Sequence, residues 1–317
     1  MSSDAPTLAS QPLTDLRRQI STIIKGKQAQ TEDCLACLLA GGHLLIEDLP
    51  GVGKTTLAHV LSISLGLHFS RVQFTTDLMP SDLVGVNIYQ PGAQAAGGNP
   101  FQFHPGPVFS QVLLADEINR AGPKTQSALL EAMEEYQVSV DGTTHPLPLP
   151  FFVIATQNPS EQLGTHPLPE SQLDRFLMCI SLGYPDRQAE RELLMGGDSR
   201  ELLRSLKPVM TPDQLRALQR AVLAIHVSPA LLDYVQALLE ATRSGEWFQE
   251  GLSPRAGLAL LRAARAKALL SGRDYVSPDD VQAILPQTIA HRLRPRGGSA
   301  RGAREQVRAM MAAVPLP

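Results

Sequence analysis

The run Glu47-Asp48-Leu49-Pro50-Gly51-Val52-Gly53-Lys54-Thr55-Thr56 carries the residue types that hold a polyphosphate. Gly51 and Gly53 let the main chain curl, so that successive N–H groups converge on anionic oxygens at the positive end of a helix. Lys54 supplies charge for the outer phosphates, and the Thr55 hydroxyl can ligate Mg²⁺. Pro50, Gly51, Val52, Gly53, Lys54, Thr55 and Thr56 are therefore the candidate nucleotide-binding segment. Asp48 stands where the general G-x-x-x-x-G-K-[ST] pattern has its first glycine, and Asp tolerates turn conformations better than most residues.

Two further stretches could complete such a site. Val112-Leu113-Leu114-Ala115-Asp116-Glu117 reads as a buried strand ending in adjacent carboxylates. Asp116 is placed to hold Mg²⁺ opposite Thr55, and Glu117 to orient or deprotonate an attacking water. Ala155-Thr156-Gln157-Asn158 puts an amide at the end of another apolar run. Ligands collect at the carboxyl ends of parallel strands, so Asn158 should face the same place as Asp116 and position water. A phosphate loop alone leaves kinase, GTPase and ATPase open; the acidic strand end narrows the choice.

These residues need a scaffold. His43–Ile46 reads as the strand that delivers the loop, and Leu57–Leu61 as the helix that follows it. Arg71–Phe74, Val112–Ala115, Phe151–Ala155 and Met178–Ile180 have strand character and are mostly separated by helical patterns. The expected fold class is α/β, a P-loop NTPase with a doubly wound parallel five-stranded sheet covered on both faces. Val138–Thr143 carries an Asp-Gly hairpin signature. After Tyr184-Pro185-Asp186 the strand patterns stop, and Thr211-Pro212, Ser228-Pro229, Ser253-Pro254 and Ser277-Pro278 each place a capping hydroxyl before a proline at a helix start. Gln214 completes a capping box with Thr211, and Leu258, Leu261 and Leu269 suggest a buried helix face. The expected organisation is a disordered tail over 1–12, a nucleotide-binding core over 13–186 and a smaller all-α lid domain over 187–317.

At 317 residues, 43% hydrophobic and 19% charged, the chain can bury a sizeable core, and its net charge of −3 argues against nonspecific nucleic-acid binding as its main task. No apolar run is long enough to span a bilayer, and the start lacks a secretory pattern, so a cytoplasmic location is expected. Cys34 and Cys37 form a C-x-x-C inside an apolar helical run and, with Cys179, read as packing residues. The arginines from Arg292 to Arg304 read as a solvated surface.

With these residues in view, the chain resembles the MoxR-type AAA+ ATPases from residue 13 to the end. The resemblance is carried by Phe74-Thr75-Thr76-Asp77-Leu78-Met79-Pro80-Ser81-Asp82, Gly106-Pro107-Val108-Phe109, Ala115–Ala121, Ala155–Pro159 and Leu168-Pro169-Glu170-Ser171-Gln172-Leu173-Asp174-Arg175-Phe176. It implies Mg²⁺-dependent hydrolysis of ATP, with Asn158 as first sensor, Arg175 as an arginine finger reaching a neighbouring subunit's ATP, and Arg255 as second sensor in the lid above its own nucleotide. It further implies a homo-oligomeric ring, commonly hexameric, that remodels or matures protein complexes. The implied clients are proteins with von Willebrand factor A-type domains, often in metal insertion. An insert at about 85–106, with a loop from Pro91 to Pro100, would face the pore or a client. Lys25 and Lys27 flank Gly26 where the family more often shows a Gly-Gln pair near the adenine. The same core also serves DNA-directed motors and loaders, which remains the alternative.

Overall fold

The computed structural model describes residues 5–90, 101–158, 164–195, 199–297 and 302–317. Five strands, β1 (Leu44–Glu47), β2 (Phe69–Gln73), β5 (Val112–Asp116), β8 (Phe152–Gln157) and β9 (Met178–Ile180), form one parallel sheet in the order β2-β5-β8-β1-β9. The pairs β3 (Gly85–Tyr89) with β4 (Phe101–Pro105) and β6 (Gln137–Val140) with β7 (Thr143–Pro146) form two antiparallel hairpins. In the second, Asp141 and Gly142 both take positive φ (49° and 79°), the turn their sequence specifies. The loop expected from Pro91 to Pro100 lies outside the described residues.

Strand alternation sorts the core into two halves. Leu44, Ile46, Val112, Leu114, Phe152, Ile154, Met178 and Ile180 join one buried cluster, while Leu45, Leu113, Ala115, Val153, Ala155 and Cys179 join the other. Such near-continuous apolar strands are stable only when both faces are covered, as in parallel sheets generally. The helices are α1 (Ala5–Ile23), α2 (Gln28–Leu39), α3 (Lys54–Ser64), α4 (Pro80–Val84), α5 (Pro123–Glu135), α6 (Glu170–Leu173), α7 (Arg187–Met195), α8 (Ser199–Ser205), α9 (Pro212–Ala224), α10 (Pro229–Arg243), α11 (Pro254–Leu270), α12 (Pro278–Ile289) and α13 (Ala303–Ala313). Leu57, Ala58, Val60 and Leu61 of α3 pack on the first face, and Leu129, Leu130 and Met133 of α5 on the second.

Beyond Ile180 the described elements are helices, apart from isolated bridges. α9, α10, α11 and α12 begin at Pro212, Pro229, Pro254 and Pro278. Thr211, Ser228 and Ser253 accept the expected bonds from the N–H groups of Gln214, Leu231 and Ala256, and Ser277 closes a capping box with Asp280. These helices do not keep a core of their own. Leu260, Ala263 and Leu269 of α11 belong to the same cluster as Leu44 and Leu114 of the sheet. Its alanines let α11 approach α2 and α12 closely.

Three expectations are corrected. α1 starts at Ala5, inside the stretch read as a disordered tail, and Pro12 lies within the helix. Leu258 is exposed, because the buried stripe of α11 runs through Ala256, Leu260, Ala263 and Ala264 instead. Arg292 is not a solvated surface residue: its side chain is only 5% exposed and its guanidinium meets Asp174 at 3.0 Å. Cys34, Cys37 and Cys179 are buried free thiols whose pKa burial raises, as expected of packing residues.

Two histidines are built into the interior as neutral rings. His43 accepts from the Val153 N–H (3.0 Å) through Nδ1 and donates through Nε2 to the Met133 carbonyl (3.1 Å). Burial lowers its pKa to about 4 and that of His291, beside Arg292, to about 3. Because the folded values lie below that of the unfolded chain, this stability is complete above about pH 6.5 and is lost as pH falls toward 4 and then 3. Denaturant unfolding at pH 6.5 and pH 5 should therefore differ by about 1.5 kcal/mol per histidine, the slope approaching about 1.4 kcal/mol per pH unit only below the unfolded pKa. A flat profile across that window would exclude two buried neutral imidazoles.

Candidate active site

β1 ends at Glu47, and the chain turns through Asp48–Gly53 into α3. Gly51 and Gly53 adopt positive φ (83° and 95°), and a Cβ on either would project into open space. This is an open main-chain cradle that other residues would strain or fill. Asp48 is more than a tolerant turn residue. Its carboxylate is buried and accepts from the N–H groups of Leu49 (2.9 Å) and Gly183 (2.6 Å) and from the Ser181 hydroxyl (3.2 Å). A side chain thus ties the loop entrance to the end of β9, which glycine could not do. Lys54 Nζ donates to the Asp48 carbonyl at 2.9 Å, which folds the lysine back over the loop.

The parallel register brings the remaining groups to the same end of the sheet. Gln73, at the end of β2, pairs with Asp116, at the end of β5. Thr156 on β8 links the acids: its hydroxyl donates to Asp116 Oδ1 (2.6 Å) and accepts from the Glu117 N–H (2.9 Å). Arg71 meets Asp116 Oδ2 at 2.7 Å, and Gln73 donates to Glu117 Oε2 at 2.8 Å. Arg120 approaches the same oxygen at 3.2 Å. Glu117 itself has φ 56°, a left-handed conformation that few non-glycine residues adopt and that turns the carboxylate out of the strand line.

Together, Pro50, Gly51, Gly53, Lys54, Thr55, Thr56, Arg71, Gln73, Asp116 and Glu117 line a cleft of about 370 Å³. Its chemistry fits a nucleotide phosphate chain with a divalent cation: a main-chain cradle and ammonium on one wall, a hydroxyl beside two carboxylates on the other. The cationic Arg71 against Asp116 shows that this wall accommodates positive charge. Asn158 is buried at the exit of β8, next to Gln157, which is in register with Glu47. It is not among the residues lining the cleft.

Arg175 and Arg255 are elsewhere. They meet the two oxygens of one carboxylate, Glu134 at the end of α5, at 3.2 Å and 2.9 Å. Arg255 also approaches Asp174 (3.7 Å), which holds Arg292. These side chains line a cavity of about 230 Å³ with Gly41, Gly42 and His43. Gly41–His43 precede β1 and Arg175 precedes β9, so this cavity lies at the amino end of the sheet, whereas the phosphate loop leaves its carboxyl end. A four-residue strand rises about 13 Å. The fold thus sets Arg255 beside Arg175, on the end of β1 opposite the phosphate loop.

Sequence reasoning did not find Arg71, Gln73, Thr156 as a bridge, or Glu134. Arg71 and Gln73 flank the buried Val72 in the edge strand β2, an alternation that would have flagged them. Glu134 is one acid among several in an amphipathic helix and carries no local signal.

Comparison with known proteins agrees with this geometry. Residues 43–178 match the ATPase family associated with various cellular activities (AAA), and residues 240–312 match the AAA lid domain. The chain is 44% identical over 286 residues to Chaperone MoxR1 of Mycobacterium tuberculosis, covering 87% of this chain and 74% of that one. It belongs to the MoxR family of AAA+ ATPases. It is also 47% identical over 274 residues to the uncharacterized protein YeaC of Bacillus subtilis, covering 86% of this chain and 84% of that protein. A crystal structure of a candidate ATPase from Cytophaga hutchinsonii superposes with a TM-score of 0.84 at 34% identity, covering 96% of this chain and 95% of the other. This MoxR-family chain is accordingly a nucleotide-binding ATPase with a P-loop α/β core and a helical lid.

The anchoring of Asp48 has a counter-intuitive consequence. Asp48→Gly restores the general loop pattern, yet removes a buried carboxylate with three donors, a loss of about 1.5–3 kcal/mol for hydrogen bonds to a charged group. Denaturation should register that loss, and titration with a fluorescent ATP analogue should give weaker binding. Tighter binding would mean that Asp48 is merely a substitute for glycine.

Proposed function

We propose that this MoxR-family ATPase works as a Mg²⁺-dependent homo-oligomeric ring, commonly hexameric in related proteins, that remodels or matures partner protein complexes in the cytoplasm. The observation that carries the reading is the separation of its two charged sites. Arg175 and Arg255 share a cavity that has no lining residue in common with the phosphate cleft. Two guanidiniums of this kind suit a triphosphate, and the one they can reach belongs to another copy. Both then act across the interface, which revises the second-sensor role for Arg255 while keeping the arginine-finger role for Arg175.

In each cleft Lys54 and the loop N–H groups hold the phosphates. Thr55 and Asp116 are the residues that would hold Mg²⁺, which when bound neutralises charge on the phosphate oxygens. Glu117, steadied by Gln73 and Arg120, accepts the proton of the attacking water. Asn158 serves as the first sensor by orienting that water. Arginines supplied in trans contribute roughly 10³ to 10⁵ in turnover by stabilising charge on the transferring phosphoryl group. α11 begins one residue before Arg255 and shares a core with α2 and the sheet, so a change at the neighbour's γ-phosphate would be felt as movement of the lid. The β3–β4 hairpin, within the insert at about 85–106, exposes Val86, Ile88, Tyr89 and Phe101 and would face the pore or a client. Proteins with von Willebrand factor A-type domains are the client class that the family resemblance favours. No helix among the described residues is long and apolar enough to cross a membrane.

Complementation tests the interface chemistry directly. Lys54→Ala and Arg175→Ala should each be inactive alone, and mixing them should restore part of the phosphate release, because the first donates arginines to the intact clefts of the second. Activity of Arg175→Ala alone, with turnover independent of protein concentration, would remove the interface mechanism. Separately, Glu117→Gln should retain ATP while ceasing to hydrolyse it; filter-bound nucleotide after incubation reads this. Normal hydrolysis by that variant would make the base assignment wrong.

A further inference from the structure

We propose that Glu134 is an internal counter-ion for the two interface arginines, which it holds until the triphosphate of another copy displaces it. The inference rests on the reading above that Arg175 and Arg255 act on a neighbour. One carboxylate spans both guanidiniums, with Oε2 at 3.2 Å from Arg175 and Oε1 at 2.9 Å from Arg255. Glu134 thus stands in for an anionic group with oxygens spread to meet two arginines, as the terminal phosphate of ATP would do.

Exposure decides which arginines can leave. The Arg255 side chain is 57% exposed and Arg175 29%, against 33% for Glu134, so solvent screens both pairs and makes them weak. Arg292, in the same cavity, is 5% exposed, bonded to Asp174 and donating to the Phe176 carbonyl at 2.9 Å. That arginine is fixed in the wall. Arg175 and Arg255 are held firmly enough to be oriented and loosely enough to be exchanged. The elements involved reinforce this division. Glu134 sits in the last turn of α5, Arg175 in the short segment between α6 and β9, and Arg255 in the first turn of α11, so the carboxylate links three elements of the core and lid. Breaking that link on binding a neighbour's phosphate frees α11 from α5 at the moment the interface forms.

Glu134 is a positioning residue that competes with assembly, and this fixes the sign of the test. Glu134→Gln keeps the shape and removes the charge, so the arginines meet a neighbour's triphosphate without a competitor. Specific ATPase activity measured against protein concentration should reach half of its maximum at a concentration roughly three- to tenfold lower than in the parent protein, the range expected for two screened ion pairs. Glu134→Asp, whose shorter carboxylate reaches one arginine, should fall between the two. In parallel, sedimentation with a non-hydrolysable ATP analogue should show oligomers of the Gln variant at lower concentrations. A merely structural Glu134 would give the opposite sign, with association weakened by its loss. An unchanged or raised half-maximal concentration in a variant with a native near-UV spectrum overturns the proposal. Arg175→Ala separates this failure from that of the interface reading. If that variant is inactive at every concentration and the Gln variant does not shift, only the counter-ion role is lost; if it stays active, the interface reading itself is wrong.

Discussion

The direction of five strands governs everything else in this molecule. Because β1, β2, β5, β8 and β9 all run the same way, every strand exit lies on one edge of the sheet and every strand entrance on the other. The phosphate loop, Gln73, Asp116, Glu117 and Asn158 are exits. Gly41–His43 and Arg175 are entrances, and α5 and α11 bring Glu134 and Arg255 to meet them. A chain with one antiparallel strand among the central three would mix the two sets. The separation of the carboxylates Asp116 and Glu117 from the pair Arg175 and Arg255 is thus a consequence of sheet polarity before it is a property of any side chain.

At the exit edge, neighbouring strands are joined by side chains as well as by main-chain ladders. Thr156 reaches from β8 to the Asp116 carboxylate at the end of β5 and to the Glu117 N–H after it, and Asp48 reaches from the end of β1 to the end of β9. Asp48, Asp116 and Thr156 are buried and each is satisfied, which is the condition under which such networks hold a geometry rather than weaken a core. The left-handed turn at Glu117 is held in part by Thr156, which accepts its N–H from the neighbouring strand.

At the entrance edge the lid and the core are not independent bodies. Leu260, Ala263 and Leu269 pack into the cluster that also contains the sheet residues Leu44 and Ile154. Arg17 pairs with Glu32 at 2.6 Å and donates to the Leu270 carbonyl, which joins α1, α2 and the end of α11. A lid so attached shares its packing with the core, and close-packed apolar contacts of this kind resist gradual deformation.

Much of this was legible in the residues alone. The phosphate loop, the acidic exit of β5, all five core strands and the four serine- or threonine-capped helix starts are local signals, set by main-chain sterics, hydrophobic period and capping bonds. So was the Asp-Gly hairpin. What failed were readings that depended on which surface a residue would meet. Leu258 fits the period of α11 and yet faces solvent, and Arg292 reads as surface and yet is enclosed. The sequence by itself determined which residues could bind a phosphate chain and which segments would be strands. Tertiary structure alone decided that Arg255 stands with Arg175 on Glu134, that Asp48 is an anchor and that Arg71 faces Asp116. Those pairings join positions far apart in the chain, and only the order of strands in the sheet and the packing of α11 bring them together.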